Sequence, residues 1–255
     1  MTPLTEKSNR VAAAIKLQRP VGRRHAARFL AEGSNLVESA LRRGLVDEVF
    51  VTEVAADRFR DLLIDAPVHL VTDRAAKALS DTVTPVGLVA VCRMPEVTLA
   101  SVLAAPRLVA VAVDTADPGN AGTLIRLADA LGADALILAG DSVDPYNAKC
   151  LRASAGSIFS VPVVDVPDTL ALISELVHAE LVVMAATLDG ETSLDDVRLD
   201  VPTAWLFGSE AHGLPVEVAA AADVRVRIPM AGGAESLNVA AAAAICLYQS
   251  ARATR

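Results

Sequence analysis

The amino-acid sequence predicts an α/β fold with a mostly parallel sheet, and three observations lead to this prediction. Strand-like apolar runs alternate with helix-like segments along most of the 255 residues, which is the pattern of α/β proteins. The run RLVAVAVD at 107–114 is continuously apolar, as expected of a parallel strand covered on both faces. Hydrophobic residues make up 53% of the chain and aromatic residues only 3%, so we expect a core of Ala, Val and Leu.

Residues 1–95 predict a small α/β sandwich. Its strands are expected at 46–52, 68–72 and 87–94, and its helices at 8–18, 35–43, 55–64 and 73–80. Arg19-Pro20 ends the first helix because proline cannot continue it, and Gly44 ends the second as a C-terminal stop. The alternation of short strands and helices makes this segment a unit of its own.

A linker is predicted at 96–106, because Pro95 and Pro106 bound a stretch of small residues there. A second α/β unit then occupies 107–255. Its strands are expected at 107–114, 134–139, 160–166, 181–186, 203–208 and 224–229, and its helices at 123–131, 147–153, 169–179, 216–222 and in the alanine-rich segment after 238. Ligands of such sheets bind beyond the carboxyl ends of the strands, so the loops that follow strands are candidate sites.

The charge of the chain is unevenly distributed. A net charge of −8 argues by itself against a nucleic-acid partner. Residues 1–44, however, contain nine Lys and Arg but only three Glu, which gives +6 for this segment and −14 for the rest. Such an asymmetry favours an end that binds a polyanion, although a solvated basic helix face explains the same charges equally well.

Other features of the sequence exclude several classes of protein. Apolar runs are too short to cross a bilayer and the start lacks the apolar segment of a signal peptide, so we expect a cytoplasmic protein without a membrane partner. Cys92, Cys150 and Cys246 are odd in number and far apart, which favours reduced core thiols. The sequence offers no His/Cys cluster for a metal, no Rossmann or P-loop glycine motif and no hydrolase G-x-S-x-G.

Three loops after strands are rich in small and polar residues, at 114–120, 208–215 and 228–238. If their strands are neighbours, five polar residues converge at one site: Asn120, Arg126, Glu210, Ser236 and Asn238. Simpler interpretations exist for most of them. The two asparagines and the serine are also favoured as helix caps, and the glutamate is also typical of a solvated turn.

The three loops carry sequence motifs with a recognisable order and spacing. They read N-x-G-x-x-x-R-x-A-x-A-x-G at 120–132, G-S-E-x-x-G-L at 208–214, and I-P-M followed by E-S-L-N-V within 228–239. Together they resemble the motifs of the SpoU (TrmH-like) RNA 2′-O-ribose methyltransferases of the SPOUT superfamily. Ser209 departs from the Asn that many relatives carry. The segment FLAEGSNLVESAL at 29–41 resembles the L30e-like substrate-binding domain of many members.

The resemblance implies a fold, a cofactor and a partner. It implies that 107–255 folds as a SPOUT domain with a trefoil knot, that the cofactor is S-adenosyl-L-methionine, and that the protein is a homodimer. The residues expected to line the cofactor pocket are Thr187, Gly208, Ile228 and Leu237. The alanine-rich helix would then pack at the dimer interface, although high helix propensity alone explains its composition.

The resemblance also implies roles in the transfer of a methyl group to a ribose 2′-hydroxyl. Arg126 would hold a backbone phosphate and the developing oxyanion with its guanidinium fork. Asn120 would orient this arginine or the ribose, and Glu210 would support the site, across the dimer interface or within one chain. Ser236 and Asn238 would fix the substrate hydroxyl and the loop. His212 is not expected to be the general base, because a lone histidine in a turn is more often structural.

An RNA substrate is expected on the same grounds. Residues 1–95 would bind it, with phosphate contacts from Arg23, Arg24, Arg28 and Arg152; a salt-bridge role suits the last of these equally well. The accessory unit favours 23S ribosomal RNA over transfer RNA. A tRNA 2′-O-methyltransferase and a non-catalytic ribosome-assembly protein are the alternatives, and the second would be expected to lack one of the motif residues.

Overall fold

The computed structural model describes residues 2–253. Its helices are α1 (Asn9–Ile15), α2 (Pro20–Ala26), α3 (Ser34–Arg42), α4 (Glu53–Arg58), α5 (Asp73–Leu79), α6 (Leu99–Val102), α7 (Pro118–Ala130), α8 (Ala148–Ser154), α9 (Thr169–His178), α10 (Val216–Ala220) and α11 (Val239–Ala253). Its strands are β1 (Arg28–Glu32), β2 (Val46–Val51), β3 (Val68–Leu70), β4 (Leu88–Arg93), β5 (Leu108–Val113), β6 (Ala135–Ala139), β7 (Val163–Val166), β8 (Val182–Ala186), β9 (Thr192–Ser193), β10 (Thr203–Phe207) and β11 (Val224–Arg227). Short 3-10 turns lie at Lys16–Gln18, Arg60–Leu63 and Ser157–Phe159.

The chain divides into two compact units, and the first of them is built from two separate stretches of the sequence. The first unit contains residues up to Glu96 together with Tyr146–Phe159, and the second contains Val97–Pro145 and the residues from Ser160 onward. The predicted linker at 96–106 contains α6, which Thr98 and Ser101 begin with a reciprocal capping box. The predicted domain ranges also include Met1, Thr254 and Arg255, which lie outside the described residues.

The first unit contains a four-stranded sheet in the order β1-β4-β2-β3. Strands β1 and β2 run antiparallel to β4, and β3 runs parallel to β2. The predicted strands and helices of this unit are present, but α2 and β1 were missed. Pro20 ends the first helical segment and also opens α2 at a first-turn position, where proline loses no hydrogen bond. Strand β1 owes its conformation to long-range pairing with β4, which local sequence does not reveal.

The second unit contains a seven-stranded sheet in the order β7-β6-β5-β10-β8-β11-β9, and all the recorded pairings are parallel. Every residue of β5 is buried, as its continuous apolar run predicts. Val109, Val111 and Val113 of β5 pack with residues of β6, β8, β10 and α9 in one core cluster. The predicted α/β fold with a mostly parallel sheet is therefore confirmed.

The three cysteines are buried and not in disulfides. Burial raises the pKa of the Cys92 thiol to about 12, with Asp47 adding to the effect, and burial also raises the pKa of Cys246 to about 12. Neither thiol is available as a nucleophile near neutral pH. Between residues 2 and 253, no helix combines the length and the apolarity that crossing a membrane requires.

Candidate active site

Residues from all three motif loops meet in one hydrogen-bond chain within the second unit. The side-chain amide of Asn120 donates to Oε1 of Glu210. The side-chain amide of Asn238 in turn donates to Oδ1 of Asn120 at 3.3 Å. These residues are 90 and 118 positions apart in sequence. The structure thus brings together three of the five residues that the sequence predicts to converge.

The order of donors and acceptors in this chain fixes the orientation of both amides. An ionised Glu210 can only accept hydrogen bonds, so Asn120 must direct its NH2 group toward the carboxylate. Its carbonyl oxygen then faces Asn238, which must supply a donor. The carbonyl oxygen of Asn238 accepts from the backbone N–H groups of Ala240 at 2.9 Å and Ala241 at 3.4 Å. The network therefore begins at the start of α11 and ends at the carboxylate.

Helix α7 is positioned by a cap that the sequence interpretation missed. The carboxylate of Asp117 accepts from the backbone N–H of Asn120 at 3.0 Å, and Pro118 follows at the first helical position. The helix therefore begins at Pro118 rather than at Thr123 as predicted. The Asp-Pro pair was the available signal, because Asp is a preferred N-cap and Pro a preferred first residue. Asn120 is consequently not the cap of α7, and its side chain is free for the network.

Arg126 lies on α7 but outside this network. It is exposed, and it makes no hydrogen bond or ion pair with residues in the described range 2–253. It lies six positions after Asn120, which corresponds to roughly 9 Å along a helix axis and to a different face. The convergence of Arg126 with the other four residues within a single chain therefore stays a prediction.

A cavity of about 680 Å³ lies beside the network. The four residues expected to hold the cofactor, Thr187, Gly208, Ile228 and Leu237, all line it, and so do Glu210 and Ser236. Glu210 thus belongs to both the cavity and the hydrogen-bond chain. A cavity of this size holds a nucleoside-sized ligand. The roles of these residues stay predictions, whereas their common location is a property of the fold.

The cavity wall after β10 requires glycine at Gly208. A Cβ atom at this position would lie 2.1 Å from the backbone carbon of Gly213 and 2.2 Å from the backbone nitrogen of Leu214. No side chain fits at such distances. The loop folds back on its own start, as the bridge between Ser209 and Gly213 shows, and residues 208–214 all line the cavity.

The donor set of the cavity fits S-adenosyl-L-methionine. The hydroxyl of Thr187 is buried and has no hydrogen-bond partner among the residues from 2 to 253, which is costly unless a ligand supplies one. Ile228, Met230 and Leu237 offer apolar surface, and Glu210 offers a carboxylate, which suits a cationic ligand. Arg225 also lines the cavity and forms an ion pair with Glu191. The sequence interpretation missed it because it lies outside the three motifs.

The arginines predicted to bind RNA differ in their availability. Arg23 is 3% exposed, and its Nη1 donates to the carbonyls of Leu17 and Gln18 at 3.0 Å each. This placement corrects the prediction that Arg23 contacts RNA, because its guanidinium is used inside the first unit. The helix period of 100° per residue turns Arg24 outward when its neighbour points inward.

The other three arginines are exposed. Arg28 is paired with Asp47 at 2.6 Å and Arg152 with Asp81 at 3.4 Å. Arg24 has no hydrogen bond or ion pair to the described part of the chain. Exposed ion pairs of this kind are weak, so both paired arginines can exchange a carboxylate for a phosphate. Arg24 could bind a phosphate without first leaving a carboxylate.

Two family models match successive parts of the chain. The SpoU rRNA Methylase family matches residues 107–248. The chain belongs to this family. An MRM3-like substrate binding domain matches residues 8–90. The membership predicted from the three motifs is therefore confirmed, and the SpoU chain carries a substrate-binding domain ahead of its methylase domain.

A curated relative and a solved structure both match this chain over nearly its full length. It is 35% identical to the 23S rRNA (guanosine(2553)-2′-O)-methyltransferase RlmP of Bacillus subtilis strain 168, over 95% of this chain and 96% of that protein. The crystal structure of the SpoU methyltransferase AviRb from Streptomyces viridochromogenes, in complex with the cofactor AdoMet, is 30% identical with a TM-score of 0.87 and covers 96% of this chain and 98% of that one. A third match is shorter: the TrmH/SpoU tRNA modifying enzyme of A. aeolicus, at 28% identity and a TM-score of 0.52, covers 58% of this chain and 75% of its own.

Proposed function

We propose that this SpoU protein transfers a methyl group from S-adenosyl-L-methionine to a ribose 2′-hydroxyl of 23S ribosomal RNA. The observation that carries the proposal is the hydrogen-bond chain from Asn238 through Asn120 to Glu210, because it joins the three motif loops at the edge of the cavity. A protein with this fold but without catalytic activity would not need these three side chains to stay in contact. The non-catalytic alternative is therefore disfavoured.

Ribosomal RNA is the proposed substrate because of how much of this chain the relatives named for each RNA match. A relative named for 23S rRNA matches 95% of the chain, whereas two solved structures named for tRNA each match 58% of it. The substrate-binding domain accounts for much of the difference, since its family matches 8–90. An rRNA substrate also implies a cytoplasmic enzyme.

The reaction requires few groups from the protein. When bound, S-adenosyl-L-methionine supplies an electrophilic methyl group on a sulfonium. The residues that would hold this group line the cavity: Thr187, Gly208, Ile228 and Leu237. Methylation of the ribose oxygen would release the hydroxyl proton. Positioning and stabilisation of the oxygen's negative charge dominate such a step. Glu210, Asn120 and Asn238 would hold the two loops and the start of α11 in a fixed relation for this purpose.

Arg126 would stabilise the oxyanion as a permanent cation. Arginine is effectively always protonated, and a neighbouring phosphate favours the cation further. We therefore assign the proton to a phosphate oxygen or to water rather than to the guanidine. The fork geometry lets one side chain hold a phosphate and the ribose oxygen together.

A homodimer is proposed as the active form. Arg126 is exposed on α7 and does not line the cavity of its own chain, so a second chain is one way to complete the site. Large apolar side chains near the cavity and on α11 are exposed to different degrees, among them Val216 at 83%, Leu188 at 64% and Tyr248 at 52%. Burying such residues between two chains would stabilise an isologous pair.

The substrate is tested in cells by comparing 23S rRNA from a strain that lacks the gene with RNA from its parent. Alkaline hydrolysis spares the bond next to a 2′-O-methylated ribose, so a lost methyl appears as a new cleavage. We expect one position of 23S rRNA to become cleavable and to be protected again by the wild-type gene. A new cleavage only in tRNA would favour the tRNA alternative, and an unchanged pattern in both RNAs would contradict the proposal.

A further inference from the structure

The segment that follows β8 is attached to β11 at both of its ends. The backbone N–H of Thr187 donates to the carbonyl of Val226 at 2.9 Å, and the N–H of Leu194 donates to the carbonyl of Arg227 at 2.9 Å. Between these bonds the chain forms a loop, here called the β8–β9 loop, which comprises residues 187–193. Its last two residues are the strand β9, which pairs with β11.

The middle of the β8–β9 loop touches the backbone of β11 at Gly190. A Cβ atom there would lie 2.6 Å from the backbone carbon of Val226 and 2.7 Å from the nitrogen of Arg227. Real Cβ contacts do not occur at such distances, so only glycine allows this approach. Gly190 itself is buried.

The exposed Arg227 also holds the loop, through its side chain. Its Nη1 donates to the carbonyl of Gly190 at 2.8 Å and to the carbonyl of Glu191 at 2.9 Å. One guanidinium nitrogen thus binds two consecutive backbone carbonyls. Arg225 also reaches the loop, but it binds the exposed side chain of Glu191; the pair lowers the pKa of that carboxyl, and solvent screens an ion pair of this kind.

The loop held in this way forms one wall of the cavity. Thr187, Leu188 and Asp189 line the cavity from the loop, and Val226 and Ile228 line it from β11 and the residue after it. We propose that Arg227 is a positioning residue for cofactor binding. It does not line the cavity; it fixes the β8–β9 loop so that the buried hydroxyl of Thr187 faces the ligand. This inference rests on the proposed use of the cavity for S-adenosyl-L-methionine.

The test compares Arg227→Gln with wild type in the full-length protein. Calorimetric titration with S-adenosyl-L-methionine should give a Kd about tenfold higher for the variant, because two charge-assisted hydrogen bonds to the loop are lost. At saturating cofactor kcat should stay within about twofold, since Arg227 does not touch the reacting groups. Amide hydrogen exchange without ligand should quicken at residues 187–194 and stay unchanged in β5 and β6.

Two further variants separate positioning from general damage. Arg227→Lys keeps a donor within reach of the carbonyls and should restore part of the affinity. Gly190→Ala pushes the loop away by steric contact alone and should reproduce the loss. Arg198→Gln is the matched control, because Arg198 is 75% exposed and pairs with Asp200 on the surface; its Kd should equal that of wild type.

Several results would overturn the inference. An unchanged Kd in Arg227→Gln would do so. A fall in kcat and in melting temperature together with the loss of affinity would also do so, because that pattern marks general destabilisation. Faster exchange spread over the whole second unit would count against it in the same way. If wild-type protein itself binds no S-adenosyl-L-methionine, the proposed function fails, and this inference falls with it.

Discussion

Asn238 uses the two ends of its side-chain amide for different purposes. Its oxygen accepts from the N–H groups that begin α11, and its nitrogen donates to Asn120. The sequence could suggest either role, since Asn is a preferred cap. The structure shows both at once, because the cap leaves the NH2 group pointing away from the helix.

Two substitutions at this position should separate the roles. Asn238→Asp keeps the capping oxygen, and its negative charge suits a helix N-terminus, so the melting temperature should not fall. The same carboxylate would face the carbonyl oxygen of Asn120, so kcat for methyl transfer should fall by about 10- to 100-fold. Asn238→Ala should lose the cap as well and be less stable by about 1 kcal/mol. Wild-type activity in Asn238→Asp would show that the bond to Asn120 is unimportant.

Substitutions of Arg126 test whether its guanidinium fork is needed for methyl transfer. In Arg126→Lys the charge remains but the fork is lost, so kcat should fall about 100-fold while the Kd for S-adenosyl-L-methionine stays constant. Single-turnover methylation and calorimetry measure the two quantities. Arg126→Gln, which lacks the charge too, should be slower still. Near-wild-type transfer by Arg126→Lys would exclude the bidentate role.

Arg23 shows what a residue-level interpretation of sequence cannot decide. Arg23 and Arg24 are adjacent and chemically identical, yet the first is buried and the second is exposed. Which of the two points inward depends on where α2 begins, and that start depends on Pro20. A charge count reveals neither, so one of four RNA contacts was predicted from a residue that is used inside the fold.

The cavity is formed by the loops that follow β8, β10 and β11. Each leaves a strand of the same sheet, and β10, β8 and β11 are consecutive in it. The sequence predicts loops of this composition after parallel strands, but it does not give the strand order. The network and cavity follow from that order, since it brings Gly208, Thr187 and Ile228 to one edge.

Gly208→Ala tests this arrangement. The added Cβ would overlap the backbone of Gly213 and Leu214, so the loop that carries Glu210 must move. We expect the Kd for S-adenosyl-L-methionine to rise by at least about tenfold and the free energy of unfolding to fall by roughly 1–3 kcal/mol. Calorimetry and urea denaturation measure these changes. An alanine variant with unchanged affinity would show that the close approach does not shape the site.

The division into units shows why domain boundaries are hard to predict at the scale of the whole molecule. Tyr146–Phe159 groups with residues up to Glu96, because the ring of Phe29 packs on Tyr146 at 4.7 Å and on Phe159 at 6.0 Å between centroids. More than 100 residues separate these partners in sequence, and no local pattern marks the pairing. The boundaries at 95 and 107 stay a prediction. A deletion of 1–95 would also remove the packing partners of this segment, so point variants are the better tools.

The proposed dimer makes a prediction about mixed subunits. Arg126→Ala is expected to be inactive while keeping the cavity, and Gly208→Ala, which keeps Arg126, is assayed at a cofactor concentration between the wild-type Kd and its own raised Kd. If Arg126 acts on the partner's cavity, mixed dimers regain one working site, and random mixing should restore about a quarter of wild-type activity. If it acts within its own chain, mixing restores nothing. Sedimentation analysis of the wild type checks the dimer itself, and a monomer would contradict this part of the account.

Methyl transfer to RNA in vitro is the decisive test of the proposed activity. Purified protein is incubated with S-adenosyl-L-methionine labelled in its methyl group and with unmodified 23S rRNA or tRNA, and the labelled nucleotide is mapped. We expect stoichiometric labelling of a single 2′-oxygen in 23S rRNA and none with Arg126→Ala. Cofactor binding without label in either RNA would contradict it and would favour a SpoU protein that binds RNA without modifying it.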